Sequence, residues 1–118
     1  MRVTRIIPNL KVRDTAAANQ FYADVLGLDV AGDFGWVGFL TAPDRPGVEL
    51  HTVTADATAP VDSVISVGVD DVDAAYERVR ASGAEILHPL QDEEWGVRRF
   101  FFRDPDGNVV NVVGHLRP

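Results

Sequence analysis

The sequence predicts an α+β fold made of two tandem βαβββ modules, which form a cupped mixed β-sheet with the helices on its outer face. Three observations support this fold class. Two helix patterns of similar design lie 57 residues apart, three short β-rich segments follow each helix, and turn-forming residues separate those segments. A sheet with one helix on its back leaves its other face open, and two such faces would form a cup for a ligand.

The first module begins with a β-rich segment at 5–12, followed by a helix. Asp14 is a favourable N-cap, apolar residues recur with helical period from Ala18 to Leu26, and Gly27 ends the pattern. A turn is expected at 42–47, which contains two prolines and a glycine. The remaining strands of this module are predicted at 28–33, 36–41 and 48–53.

The second module repeats this order. A β-rich segment at 64–69 precedes Asp71, which caps a helix whose apolar side chains recur until Gly83. The segment Asp104-Pro105-Asp106-Gly107 is typical of a turn between the last two strands. The strands after the helix are predicted at 85–90, 97–103 and 109–113. The modules therefore span about 3–54 and 62–115, joined by a linker.

Composition limits the classes of function. The chain has 118 residues, 46% hydrophobic and 25% charged, which fits one domain over residues 1–118. It contains no cysteine, which excludes disulfides, thiolate metal ligation and cysteine catalysis. The net charge of −7 argues against nucleic acid as a partner, and the only adjacent basic pair, Arg98-Arg99, should point to opposite faces of a strand. No apolar run reaches the roughly 20 residues of a membrane span, and we therefore expect a cytoplasmic protein without a membrane partner.

Four stretches, in this order, resemble the vicinal oxygen chelate superfamily, which includes glyoxalases, bleomycin-resistance proteins and extradiol dioxygenases. They are Ile-Pro-Asn-Leu-Lys-Val-Arg-Asp at 7–14, Phe-Tyr-Ala-Asp-Val-Leu-Gly-Leu at 21–28, Trp-Gly-Val-Arg-Arg-Phe at 95–100 and Arg-Asp-Pro-Asp-Gly-Asn at 103–108. The resemblance covers nearly the whole chain and implies the duplicated βαβββ fold. The stretch at 95–100 resembles the bleomycin-resistance branch, which implies binding without a metal.

The resemblance also implies four positions at which enzymes of the superfamily hold a divalent metal. In this sequence they are Ile7, Val64, Glu49 and Asn111. Only Glu49 is a strong ligand, because hydrocarbon side chains donate nothing and an amide oxygen is a weak neutral donor. We therefore expect no metal, no cofactor and no catalytic residue.

Other interpretations of these residues remain open. Glu49 and His51 are two residues apart and should share a strand face, which would allow a displaced metal site. Glu49 is also a candidate general base, or a buried carboxyl held by a partner such as Asn111. The serines lie in no nucleophile motif. His88 and His115 are expected to be solvated.

The predicted site is an aromatic and apolar groove. Alternation along 97–103 lets either Phe100 and Phe102 or Phe101 face it, and we assign Phe100 and Phe102 to the groove. Trp95 is the strongest candidate, because it follows the acidic run 92–94 in an expected loop and the matching tryptophan of the bleomycin-resistance branch lies near bound drug. That acidic run is interpreted either as a solvated loop or as an attraction for a flat cation. The predicted ligand-binding residues are Trp36, Phe39, Glu49, His51, Ser66, Trp95, Phe100, Phe102 and Asn111.

Three functions follow as hypotheses. The first is a metal-free homodimer that sequesters a planar or amphipathic small molecule in two equivalent grooves at the dimer interface. Planar aromatic compounds, cationic compounds and antibiotics are included. The second is a lyase, isomerase or dioxygenase of the same fold with a displaced or absent metal site. The third is a module that binds another protein or only stabilises a dimer. Pro8 is interpreted either as the hinge of an N-terminal arm exchanged between subunits, which the resemblance implies, or as an edge-strand proline.

Overall fold

The computed structural model describes residues 1–115, which contain two helices and eight strands in the predicted order, βαβββ twice. The elements of the first repeat are β1 (Val3–Lys11), α1 (Thr15–Leu26), β2 (Asp29–Asp33), β3 (Val37–Ala42) and β4 (Arg45–Val53). Those of the second are β5 (Ile65–Val69), α2 (Val72–Ala81), β6 (Ile86–Asp92), β7 (Val97–Arg103) and β8 (Val109–His115). The α+β class and the two modules are confirmed. The predicted turn at 42–47 is shorter than expected, because β4 begins at Arg45.

The chain divides into two compact units. The N-terminal unit is Ile7–Ala57, and the C-terminal unit consists of Met1–Ile6 together with the residues from Thr58 onward. Strand β1 contributes to both, its first residues to the C-terminal unit and its last residues to the N-terminal unit. Pro8 lies within β1, directly before the residues that pair with β4. Its role as an arm hinge stays a prediction, as does the cup.

In the N-terminal unit the strand order is β2-β3-β4-β1. Strand β3 is antiparallel to β2 and β4, whereas β1 runs parallel to β4 with Asn9 opposite His51. Helix α1 packs on one face of β2, β3 and β4. Because side chains alternate along a strand, Phe39 and its partner His51 lie on the face opposite α1.

Polar contacts hold α1 on its sheet. The buried residues of this helix are Thr15 and Asn19, not its apolar residues. Asn19 donates to Asp33 and accepts from the Thr52 hydroxyl at 2.8 Å. Gly38 leaves room for this contact, since a Cβ there would lie 2.5 Å from the Asn19 amide. Both predicted ends of α1 are confirmed: Asp14 accepts from two backbone N–H groups, and the C-cap glycine has a φ of 71°.

In the C-terminal unit the strand order is β1-β5-β8-β7-β6. Strands β5 and β8 are parallel, and β7 is antiparallel to both β8 and β6. Helix α2 covers one face of β6, β7 and β8. The buried core between this helix and the strands consists of Val69, Val72, Ala75, Phe100, Val110 and Val112.

Alternation along β7 determines which aromatic side chains face the helix. Phe100 lies in the core against α2, with Phe102 packed beside it. Phe101 lies on the opposite face, paired with Asn111 of β8. The assignment of Phe100 and Phe102 to a ligand groove is therefore wrong, because the strand register directs both rings under the helix.

The two adjacent arginines of β7 point to opposite faces, as predicted. Arg98 forms ion pairs of 2.9 Å with Asp73 of α2 and with Asp92 of β6. The hydrogen bond from Arg98 lowers the pKa of the Asp73 carboxyl, and the two carboxylates raise the pKa of Arg98. Arg99 is buried on the other face.

The predicted turn between β7 and β8 is confirmed. The carboxylate of Asp104 accepts hydrogen bonds from the backbone N–H groups of Asp106 and Asn108 and from the Asn108 side chain. These hydrogen bonds lower the pKa of Asp104. Gly107 has a φ of 87°, a conformation that favours glycine. Neither described helix is long and apolar enough to span a membrane.

Candidate functional site

The candidate site of the N-terminal unit lies on the face of β3 and β4 opposite α1. His51 and Glu49 lie two residues apart on β4, and His51 Nε2 is 3.1 Å from Glu49 Oε2. Because a carboxylate only accepts hydrogen bonds, His51 donates through Nε2. The two side chains are 12% and 11% exposed, which leaves the pair at a surface but largely desolvated. Such a pair can bind a cation or an N–H donor, or transfer a proton.

Aromatic rings border this pair. Phe39 contacts the His51 imidazole edge-to-face, with ring centroids 4.7 Å apart. Phe34 packs edge-to-face on Phe39 at 5.2 Å, and its side chain is half exposed. The structure therefore brings the predicted residues Phe39, Glu49 and His51 together. Trp36 lies in the turn between β2 and β3, where its carbonyl accepts from Thr54.

The C-terminal unit has a second group of predicted residues, on the face of β5 and β8 opposite α2. Asn111 lies opposite Ser66, and its Nδ2 donates to the serine hydroxyl at 3.0 Å. Both side chains are buried. Asn111 Oδ1 has no hydrogen-bond partner among the described residues. A buried acceptor of this kind is satisfied by a water molecule or by a donor of a ligand.

Beside this pair lies a buried ionic network that the sequence analysis missed. Glu93 Oε1 accepts from Arg99 Nε at 3.0 Å and lies 2.8 Å from His88 Nε2. All three side chains are at most 6% exposed. The expectation that His88 is solvated is wrong, because the residue is 1% exposed and its ring stacks on Phe101. Within the acidic run only Glu93 turns inward, whereas Asp92 and Glu94 are exposed, so the interpretation as a solvated loop is wrong for Glu93.

Trp95 is attached to the same network. The Arg99 guanidinium lies over its indole ring, 5.0 Å from the centroid, and over the Phe101 ring at 4.8 Å. The Thr58 hydroxyl accepts from both Trp95 Nε1 and Arg99 Nη2. Trp95 is half-buried. The cation that stacks on this tryptophan is therefore an arginine of the same chain.

A clue to this network was present in the sequence. Arg99 and Phe101 are two residues apart and share one face of β7, and Glu93 lies in the short loop that follows β6. An arginine on a largely apolar strand requires a buried acceptor, and a nearby carboxylate is the usual one. Which of the three acidic residues turns inward could not be predicted, because that depends on the path of the loop.

The residues at the expected metal positions do not fit a divalent cation. Ile7 is buried hydrocarbon and Val64 offers no donor, whereas Asn111 is engaged by Ser66. Over residues 1–115, no three His, Asp or Glu side chains approach closely enough to hold a metal together. Glu49 and His51 are two strong donors of the three or more that such ions require.

Comparison with known proteins gives a family match. The family model of the Glyoxalase/Bleomycin resistance protein/Dioxygenase superfamily matches residues 4–112. An uncharacterized protein of Mycobacterium bovis is 32% identical over 118 residues, covering 86% of this chain and 76% of its own. The Mn(II)-bound glyoxalase from Novosphingobium aromaticivorans is 27% identical with a TM-score of 0.63, covering 95% of this chain and 38% of that one. Methylmalonyl-CoA epimerase from Mycobacterium tuberculosis is similar in fold, with a TM-score of 0.68 at 17% identity over 98% of this chain and 88% of that one.

Proposed function

Because the chain belongs to the Glyoxalase/Bleomycin resistance protein/Dioxygenase superfamily, we propose that it is a metal-independent small-molecule-binding protein that sequesters its ligand. The observation that carries the proposal is the donor set at the four expected metal positions. Two of the side chains are hydrocarbon and one is an amide engaged by Ser66, which leaves Glu49 as the only charged ligand. A protein of this fold that has an aromatic surface but lacks a set of metal ligands is suited to binding a small molecule without a metal.

The proposed ligand is a planar aromatic compound, with cationic compounds bound best. Phe39 and Phe34 supply an aromatic surface in the N-terminal unit, and Glu49 supplies a negative charge next to it. Trp95 or Trp36 is proposed to stack on the ligand. Since Arg99 already lies over Trp95, we assign recognition of a positive charge to Glu49 rather than to the acidic run.

Binding of 9-aminoacridine, a planar cation at neutral pH, and of acridine, which is largely neutral there, tests this assignment by calorimetric titration. Glu49→Gln should weaken 9-aminoacridine roughly tenfold and leave acridine unchanged, because only the cation loses a charge partner. Glu94→Gln, at an exposed position of the acidic run, is the matched control and should change neither affinity.

Trp95→Ala should weaken both compounds roughly tenfold, since a stacked ring contributes on the order of 1 kcal/mol beyond its buried area. The proposal fails if neither compound binds at millimolar concentration. It fails in its charge assignment if Glu49→Gln affects both compounds equally.

A second candidate is an enzyme of the same fold, a lyase, isomerase or dioxygenase. The Glu49–His51 pair favours it, because a carboxylate that orients an imidazole is a common arrangement for proton transfer. Metal analysis of natively purified protein separates the two candidates. We expect no stoichiometric metal, and one zinc, nickel, manganese or iron per subunit would favour the enzyme.

A third candidate is a protein-interaction module. Addition of the two acridines should raise the thermal midpoint if the protein binds small molecules, whereas an interaction module would show no change. A cytoplasmic location and a homodimer belong to the same proposal. The homodimer is supported by the large apolar side chains that the described chain leaves half exposed.

A further inference from the structure

A cavity beside α2 lies apart from the candidate site. It belongs to the C-terminal unit, has a volume of about 160 Å³ and lies on the helix side of β5 and β8. Ser66 and Asn111 of the candidate site are on the opposite face of the same two strands, because side chains alternate along a strand. We call this space the α2 cavity.

Hydrocarbon side chains form the walls of the α2 cavity. Val67 of β5 lies opposite Val112 of β8, and both line the cavity together with Val79 of α2 and Phe102 of β7. Phe102 thus faces this cavity instead of the predicted aromatic groove. Val112 is 5% exposed, whereas Val3 at the rim is 49% exposed, so the cavity has a buried floor and opens to water.

One cation stands at the mouth of this cavity. Arg78 of α2 is the only polar residue among the described residues that line it. Its side chain is exposed and forms no ion pair or hydrogen bond within residues 1–115, whereas Arg80 of the same helix pairs with Glu77 and lies over the Tyr76 ring. An arginine on an apolar surface lays its methylene stem along that surface and keeps its guanidinium in water. The guanidinium is therefore available to an anion of a ligand.

We propose that the α2 cavity binds a free medium-chain carboxylate, with the hydrocarbon chain inside the cavity and the carboxylate on Arg78. A guanidinium pairs with a carboxylate through two parallel hydrogen bonds, which favours this anion. An apolar cavity of about 150 Å³ holds a benzene molecule, so a chain of about eight carbons would fill the α2 cavity and leave its carboxylate at the mouth. The acyl chains of membrane lipids are longer than this, which favours a free carboxylate over a lipid. The site goes beyond the proposed function, and either can fail alone.

Titration calorimetry with sodium octanoate and with octanamide, its uncharged analogue of the same shape, tests the proposal. Wild type should bind octanoate with a Kd on the order of 1 mM or below, and octanamide more weakly. From hexanoate to octanoate the affinity should rise about fourfold per methylene, because each buried methylene is removed from water. From octanoate to decanoate the gain should be smaller, since the cavity is then full.

Arg78→Gln should weaken octanoate about fourfold and leave octanamide unchanged, because only the carboxylate loses a charge partner. Arg80→Gln, at an exposed arginine of the same helix that does not line the cavity, is the matched control and should change neither affinity. Val67→Phe should abolish binding of both compounds, since the added ring atoms occupy the cavity. Glu49→Gln should leave octanoate binding unchanged, which separates this site from the proposed function.

Circular dichroism verifies that each variant is folded, and if Val67→Phe does not fold, the chain-length series and Arg78→Gln decide. The proposal is overturned if wild type binds no octanoate at millimolar concentration, if Arg78→Gln affects octanoate and octanamide equally, or if a folded Val67→Phe protein retains binding. Octanoate affinity that falls as the protein concentration rises would assign the cavity to a contact between copies of the chain. Co-sedimentation with phosphatidylglycerol vesicles that Val67→Phe suppresses would assign it to a membrane. Either result also overturns the proposal.

Discussion

At the scale of single residues, the ionic network around Glu93 is the feature on which a single substitution should have the largest effect. One carboxylate serves Arg99 and lies against His88, and the three groups are nearly inaccessible to water. Removing one partner of a buried ion pair strongly destabilises a protein, because the other charge is left buried without a partner. The intact pair need not stabilise the fold by itself. The network fixes the loop that carries Trp95, because Arg99 contacts both the carboxylate and the indole ring.

Glu93→Gln should therefore destabilise the protein by about 3 kcal/mol, since it leaves the buried Arg99 charge uncompensated while retaining the shape of the side chain. The neighbouring Glu94→Gln is exposed and should cost less than about 0.5 kcal/mol. Urea denaturation followed by tryptophan fluorescence measures both. Equal stability of the two variants would show that the network contributes little.

At the scale of secondary structure, the contact between α1 and its sheet depends on one glycine. Gly38 of β3 lies under Asn19, whose amide binds both Asp33 and Thr52. A methyl group at this position would collide with the amide and with the Thr52 hydroxyl, 2.6 Å away. The hydrogen bonds of Asn19 thus hold the helix on the sheet, and the absence of a side chain at Gly38 leaves space for them.

Gly38→Ala should lower the free energy of unfolding by about 2 kcal/mol, the usual cost of overpacking. Gly47→Ala in β4 is the control, because nothing lies within 4 Å of a Cβ there, and its effect should be neutral or slightly stabilising. Thermal denaturation of the two variants beside wild type checks this. A stable Gly38→Ala protein would mean that α1 moves away from the sheet at little cost.

At the scale of the whole molecule, stability should depend on acidic pH. The pKa values of Asp70, Asp73 and Asp104 are lowered, respectively by the backbone N–H of Arg2, by the Arg98 side chain and by the Asn108 side chain. A lowered native pKa means that the unfolded chain binds protons more readily. The stability that these groups contribute is therefore complete above the ordinary carboxyl value of 3.8 and is lost as the pH falls through the lower native values.

The thermal midpoint of wild type should fall steeply below about pH 4. Asp104→Asn should show a shallower fall in that range, because one of the three carboxyls no longer titrates. Asp44→Asn, in the exposed turn between β3 and β4, is the control and should follow wild type. Scanning calorimetry between about pH 2.5 and 6 measures these slopes. Parallel curves for wild type and Asp104→Asn would contradict the role of this turn.

The elements that depend on local interactions could be predicted from the sequence. Asp14 and Gly27 delimit α1, and Asp104 organises the turn before β8, because caps and turns involve residues within a few positions of one another. The opposite directions of Arg98 and Arg99 follow from strand alternation alone. The family resemblance predicted from four short stretches is likewise confirmed over most of the chain.

Which face of each element is buried depends on contacts between distant parts of the chain, and the sequence did not predict it. Phe100 rather than Phe101 lies under α2, because that choice is set by the register of β7 against β8, which involves residues far apart in the sequence. Phe21, Val25 and Leu26 of α1 are exposed, whereas Thr15 and Asn19 are buried. The helix pattern could not predict this, because Gly38 and Thr52, which accommodate Asn19, come from strands far along the chain. The contact between Glu93 and His88 likewise depends on the tertiary structure. A buried charge is stable only where other parts of the chain supply its partners, as Arg99 does here.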